Sequence, residues 1–191
     1  MAAPPPSLPA VTEVIAEFRR ALREPAPPPR GEVLGLLLGL HRNNVEQWNR
    51  EDVARRDDAD DGAVAAAKRD IDMLNTKRHE LVEAVDTALA TRIAQAPAAP
   101  PTTESPGMVF DRMSVLVIRI SFTESAASSQ RDDRDLYAAR LPLLHQQLAF
   151  LEEALEALYD DVQTGRKRFV PYQSLKLYGS AASRGAGIRR D

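Results

Sequence analysis

The sequence predicts an all-α protein, a bundle of about four to five helices with long antiparallel helices and a Pro-rich N-terminal extension. Three observations support this. Prolines separate segments in which apolar residues recur at helical spacing. Only one segment alternates like a strand, and a lone strand is not stable. The clearest helical pattern is a heptad seam near the C-terminal end, formed by Tyr137, Leu141, Leu144, Leu148, Leu151, Leu155 and Leu158.

The first elements follow from these patterns in order. Residues 1–9 are Pro-rich and predicted to be disordered. Residues 10–23 form a short amphipathic helix with Val14 and Phe18 on its apolar face, and residues 24–31 form a stiff linker. The second helix is predicted from about residue 32 to 56 and the third from roughly 63 to 94, with an acidic loop between them.

Residues 108–127 are compatible with two structures. The stretch VIRISF alternates like a strand, but the chain offers no comparable second strand. We therefore predict a buried helix here. The predicted organisation is an extension with a short helix over residues 1–30, a helical domain over 31–179 and a basic flexible tail over 180–191.

The composition excludes several kinds of site. The chain has no cysteine, which excludes disulfides, zinc thiolates and thiol nucleophiles. The net charge of -3 gives no sign of a nucleic-acid partner. The N-terminal residues do not resemble a secretory signal, and the longest apolar-rich stretch, residues 32–40, is too short to span a membrane. A cytoplasmic location, without a membrane partner, is the expectation.

Polar residues occupy helix faces that should be apolar. In the second helix the stripe of Leu34 and Leu37 continues into polar residues, and buried charge is costly unless it is paired. The third helix carries a complementary polar face, and a short loop makes the two helices antiparallel neighbours. We expect the two faces to meet and build one site. Its members are His41, Asn44, Trp48, Glu51, Asp52, Arg55, Lys68, Asp72, Asn75 and Arg78.

Each of these residues also has a purely structural interpretation. His41 can be a satisfied core histidine and Trp48 a core residue whose indole N–H is bonded. Arg78 and Asp72 can form a structural salt bridge, and Lys68 can belong to a solvated face. A cluster of buried polar groups is harder to explain by stability alone, which favours a functional site.

Two further segments carry candidate residues. In ESPGMVFDRMSVL, Ser-Pro-Gly can start a helix whose first turn holds Asp111 and Arg112. Arg112 and Arg119 share a face, and such a basic pair can hold a phosphate or a carboxylate. A solvated tail is expected after residue 165, and the alternative is a tail that folds back to close a pocket with Tyr172, Gln173, Lys176 and Tyr178.

Common catalytic signatures are absent from the sequence. It contains no Walker loop, GxGxxG or GxSxG. Glu83 and Asp86 match the ExxD pair with which all-α nucleotide pyrophosphohydrolases hold Mg²⁺. The paired ExxE of those enzymes is missing, although Glu51 and Asp52 could replace it. A magnesium-dependent all-α hydrolase is therefore one alternative.

Four ordered motifs together resemble a bacterial family, the domain of unknown function 4254. They are HRNNVEQWNREDVAR, KRDIDMLNTKRHELVEAVD, ESPGMVFDRMSVL and YQSLKLYG, between residues 40 and 179. The chain departs from the family pattern at Thr76, His79, Glu80 and Gly179. The resemblance implies a companion of bacterial glycosyltransferase and sugar-modifying genes, or of specialised-metabolite clusters.

The expected function is binding or modification of a phosphorylated or nucleotide-linked sugar-type metabolite, with enzymatic activity of unspecified class and no assigned cofactor. Glu51, Asp52 or Asp72 would be the general base and His41 the acid–base partner, with Trp48 as a stacking wall. The anionic groups would lie on Arg55, Arg78, Arg112 and Lys176. The alternative is an interaction protein in which the helix over residues 137–158 dimerises or binds a glycosyltransferase or another biosynthetic enzyme.

Overall fold

The computed structural model describes residues 8–24, 31–56 and 60–175. These residues form five helices, with no strand among them beyond one isolated bridge between Pro101 and Arg168. The all-α prediction is therefore confirmed. The helices are α1 (Val11–Ala21), α2 (Glu32–Ala54), α3 (Asp61–Ala90), α4 (Pro106–Ala127) and α5 (Arg134–Gln163).

Helices α2 and α3 form an antiparallel pair. Asp70 binds Arg50 near the end of α2, whereas Arg92, just beyond α3, binds Glu32 at the start of α2. The Asp60 side chain caps α3 by accepting a hydrogen bond from the backbone N of Ala63 at 2.7 Å. This arrangement places the polar face of each helix beside that of the other.

The ambiguous segment is helical, as predicted, and forms α4. Ser105 is its N-cap, and Pro106 occupies the first turn, where its missing N–H costs nothing. Asp111 and Arg112 therefore lie in the second turn, whereas the sequence predicts them in the first turn. Apolar residues are buried on several sides of α4, among them Phe110, Val117 and Ile118. A helix surrounded in this way needs no amphipathic pattern, so its sequence lacked the helical period that would have distinguished it from a strand.

Helix α5 packs antiparallel on α4. The predicted seam faces inward, and Leu148 and Leu155 are buried in the core. A second row of apolar residues remains on the solvent side at seven-residue spacing: Leu136, Leu143 and Phe150 are 57%, 58% and 60% exposed. The seam is therefore an internal packing surface, and the surface available to a partner is this second row.

Helix α1 belongs to the same hydrophobic core as the other four. Its residues Val11, Val14, Ile15 and Phe18 are buried, and α1 contacts α2, α4 and α5. The predicted domain boundary at residue 31 places α1 outside the helical domain, whereas in the structure α1 contributes to the core of that domain.

After α5 the chain returns along α3. The backbone N of Phe169 donates to the Gln95 side chain at 2.8 Å, and that of Tyr172 donates to Asp86 Oδ2 at 2.9 Å. The predicted tail residues Lys176 and Tyr178, and the whole of 180–191, lie outside the described residues. Among the described residues, no helix has both the length and the hydrophobicity needed to cross a membrane.

Candidate functional site

A hydrogen-bond network joins α2, α3 and α4 below a surface cleft. Arg78 of α3 binds Asp111 of α4 through two nitrogens, with Nε 2.9 Å from Oδ1 and Nη2 2.6 Å from Oδ2. Asn44 of α2 donates to Asp111 Oδ1 at 2.9 Å and to Ser114 Oγ at 3.1 Å. The Nδ1 atom of His41 lies 2.8 Å from the same hydroxyl. The network therefore holds Arg78 in one orientation.

His41 lies at the buried end of this network. Its ring is fully buried and stacks on Phe18 with 4.5 Å between centroids. Its Nε2 atom has no hydrogen-bond partner among the described residues. Burial lowers the pKa of His41 to about 4, so the ring is neutral at neutral pH. At this buried site His41 is better suited to holding the Ser114 hydroxyl in place than to the predicted acid–base catalysis.

Arg78 reaches from the network into a cleft of about 450 Å³ between α3, α4 and α5. Arg112 shares this cleft and pairs with Glu104 at 2.7 Å. Arg119 also shares it and has no ion-pair partner within the described part of the chain. The remaining walls are largely apolar. The lining residues are Arg78, Arg112, Val115, Leu116, Arg119, Gln147, Phe150 and Leu151.

A second chamber of about 670 Å³ adjoins the cleft, because Arg119 and Gln147 line both. Trp48 stacks on Phe122 here, with 5.3 Å between ring centroids. Tyr137 is flanked by the guanidinium groups of Arg131 and Arg140, at 5.7 and 5.5 Å from its ring centroid. Asp52 is the one carboxylate among the residues that line either space. The two adjoining spaces lie along α4, and we refer to them together as the groove.

The structure brings most of the predicted residues to this place. Asn44, Arg78 and Asp111 form the network, whereas Trp48, Asp52 and Arg112 line the groove. Asn75 accepts a hydrogen bond from the side chain of Gln47 at 3.1 Å, between α2 and α3. The sequence-based expectation that the polar faces of the two helices meet is thus realised in part.

Four predicted residues lie elsewhere. Glu51 and Arg55 pair with each other at 2.7 Å at the end of α2. Lys68 and Asp72 are exposed on α3, and neither lines the groove. The possible Arg78–Asp72 bridge does not form, because six residues along a helix turn a side chain about 120° away.

Several groove residues were not predicted. Ser114 connects His41 to Asn44, and Phe122, Tyr137 and Gln147 line the groove. Arg119, in contrast, is expected from the sequence to form an anion-binding pair with Arg112, and both line the cleft. Ser114 belongs to the motif DRMS, so its spacing from Asp111 was the signal that could have identified it.

The ExxD pair has a structural role. Asp86 is fully buried and accepts hydrogen bonds from the backbone N of Gly107 at 2.7 Å and of Tyr172 at 2.9 Å. Burial raises its pKa, although Ser105 and the two backbone donors partly oppose this. Glu83 accepts from the backbone N of Ser174 at 3.1 Å. Among the described residues, no group of three histidine or acidic side chains is arranged to hold a metal ion.

Comparison with protein families matches residues 35–170 to the family described as "Protein of unknown function (DUF4254)". This chain belongs to that family. The match covers α2 to α5 and therefore includes the network and the groove. Comparisons with curated proteins and with solved structures give no significant match. Of the departures from the DUF4254 pattern, His79 contacts Tyr172 through Nδ1 at 2.8 Å, and Gly179 lies outside the described residues.

Proposed function

We propose that this DUF4254 protein binds an anionic metabolite, a phosphorylated or nucleotide-linked sugar-type compound, in the cleft over Arg78. The observation that carries the proposal is the orientation of Arg78. Its Nε and Nη2 atoms are held by Asp111 from below, while the side chain still lines a cleft that contains Arg112 and Arg119. Arginine is suited to phosphate because its planar group offers several donors at once.

The network prepares Arg78 for a ligand before the ligand arrives. Asp111 is in turn held by Asn44, so the guanidinium loses little conformational freedom on binding. Within the described residues, Nη1 of Arg78 has no hydrogen-bond partner. Asp111 and Glu104 offset two of the three positive charges, which leaves Arg119 as the uncompensated cation of the cleft. This balance suits an anion beside a less polar group, since Val115 and Leu116 also line the cleft.

If the protein is an enzyme, Asp52 is the group best placed to act as a base. It lines the adjoining chamber, whereas Glu51 pairs with Arg55, Asp72 is exposed outside the groove and His41 is buried. A carboxylate can accept the proton of a hydroxyl group that is activated for transfer. The proposed chemistry is therefore binding at the arginines, with hydroxyl activation at Asp52 in the catalytic version.

A thermal-shift titration with inorganic pyrophosphate and glucose 1-phosphate tests the binding proposal. Ligands that bind the native state raise the melting temperature. We expect Arg119→Ala to weaken the stabilisation at least tenfold in ligand concentration, since a charge-assisted contact contributes about 1.5–3 kcal/mol. Arg69→Ala is the matched control, because Arg69 is exposed on α3 and lines neither space. Equal responses from both variants would refute the proposal.

A second candidate function is self-association through α5. Leu136, Leu143 and Phe150 form a row of apolar side chains that is exposed to solvent. The helix is basic near its start and acidic near its end. Two copies of α5 packed antiparallel about Leu143 would bring Leu136 of each copy toward Phe150 of the other. We propose a homodimer of this geometry as the interaction-protein version of the function. Sedimentation analysis should then show a dimer that Leu136→Glu dissociates, and a wild-type monomer at micromolar concentration would reject it.

A further inference from the structure

We infer that the groove along α4 accepts a nucleoside diphosphate, with the diphosphate in the arginine cleft and the base in the chamber beside Trp48 and Phe122. The inference rests on the proposed function, because it takes the anion in the arginine cleft as its starting point. It adds the second half of the ligand and the surface that recognises it.

The first step is the adjacency of the two spaces. Arg119 and Gln147 line both the cleft and the aromatic chamber, so a ligand that extends past these two side chains reaches from one space into the other. Along α4, Arg112, Arg119 and Phe122 recur at spacings that keep them on one side of the helix. From Arg112 to Phe122 the helix rises roughly 15 Å, which is enough to hold a diphosphate and a base side by side.

The second step is the chemistry of the aromatic chamber. Trp48 and Phe122 form a stacked pair, and Phe122 is also among the exposed large hydrophobic residues. Exposed aromatic rings bind nucleobases by stacking and tolerate any base, because every base has a π-face.

The third step is the polar content of the chamber. Asp52 can accept hydrogen bonds from ribose hydroxyl groups, and Arg140, which also lines the chamber, can donate to ring carbonyl or nitrogen acceptors. The phosphates would lie nearest Arg119, which has no ion-pair partner among the described residues. Each part of a nucleoside diphosphate thus meets a group of matching chemistry.

Trp48 makes the inference directly measurable, since it is the single tryptophan of the chain. The experiment titrates the full-length protein with UDP, ADP, uridine and inorganic pyrophosphate while recording tryptophan fluorescence and calorimetric binding. We expect UDP or ADP to quench Trp48 and to bind at least tenfold more tightly than pyrophosphate, because base stacking adds affinity. Pyrophosphate should bind without quenching.

Variants locate the two halves of the ligand. Phe122→Ala should weaken nucleoside diphosphate binding about tenfold and leave pyrophosphate binding unchanged. Arg119→Ala should weaken both ligands. Met73→Ala is the control for Phe122→Ala, since Met73 is 63% exposed on α3 and lies outside the groove. Circular dichroism of each variant checks that the fold is intact.

The outcomes separate the inference from the proposed function. If pyrophosphate binds but UDP and ADP bind no more tightly and cause no quenching, the inference is overturned and the anion site stands. If neither pyrophosphate nor the nucleotides bind, both are overturned. If nucleotides bind tightly but Phe122→Ala has no effect, the base lies elsewhere and the inference is overturned.

Discussion

Asp86 and Gly107 approach each other so closely that only glycine fits at the start of α4. The backbone N of Gly107 donates to Asp86 Oδ1 at 2.7 Å, and a Cβ at this position would lie 2.7 Å from the same oxygen and 2.9 Å from the carbonyl oxygen of Val82. The carboxylate also lies where a helix N-terminus attracts negative charge. This contact ties α3 to the helix that carries Asp111 and Arg119.

Gly107→Ala should destabilise the protein by about 1–3 kcal/mol, because the added methyl group must displace the carboxylate or the backbone. The measurement is the free energy of unfolding from denaturant titration. Gly39→Ala is the control: its Cβ would meet only Leu81 Cδ2 at 3.6 Å inside α2, so alanine should raise stability by about 0.5–1 kcal/mol. Similar effects of the two substitutions would contradict the close contact.

Asp86→Asn should lower the free energy of unfolding by about 1–3 kcal/mol. Both carboxylate oxygens accept backbone N–H groups, and an amide replaces one of these acceptors with a donor. Glu83→Gln provides the comparison, since Glu83 accepts one hydrogen bond, from Ser174 N at 3.1 Å, and glutamine retains an acceptor for it. A loss for Glu83→Gln as large as that for Asp86→Asn would argue against the double-acceptor role.

Acidification should destabilise the protein through His41. Its pKa is lowered from 6.5 to about 4 by burial, so between these values the unfolded chain binds a proton that the folded protein does not. Stability due to this group is therefore present above the unfolded pKa and lost as the pH falls through the folded pKa. The total loss is about 3 kcal/mol.

His41→Gln tests this pH dependence. Unfolding free energies of the wild type and the variant are compared at pH 7 and at pH 4.5. Groups such as Asp86 titrate in both proteins and cancel in the difference. The variant should lose less stability on acidification, even if it is less stable at pH 7. Parallel losses in the two proteins would show that His41 does not carry the effect.

The Arg78–Asp111 pair should show measurable energetic coupling. Their side chains are only 29% and 12% exposed and share three short nitrogen–oxygen contacts. A double-mutant cycle with Arg78→Ala and Asp111→Asn should give about 1–3 kcal/mol of coupling in stability. The same cycle on the exposed pair Arg131 and Asp133 should give a clearly smaller coupling, because solvent screens an exposed ion pair. Equal coupling energies would contradict the special position of Arg78.

Much of the fold could be predicted because the deciding patterns are local. The apolar spacing at Leu148 and Leu155 predicted the inward face of α5, since helical periodicity repeats within one segment. Ser105 and Pro106 predicted the start of α4, because a cap and a first-turn proline act on their own neighbours. The all-helical nature of residues 108–127 followed from the absence of a strand partner.

What the sequence determined by itself was the set of helices and the presence of polar residues on faces that should be buried. Only the tertiary structure decided which partner each polar group has. Arg78 pairs with Asp111 of α4 instead of Asp72, and Asp86 holds Gly107 and Tyr172 instead of a metal ion. The groove joins α2, α3, α4 and α5, so its lining depends on how these helices pack. Periodicity reports the direction in which a side chain points on its own helix, whereas its partner is decided by long-range packing of the core.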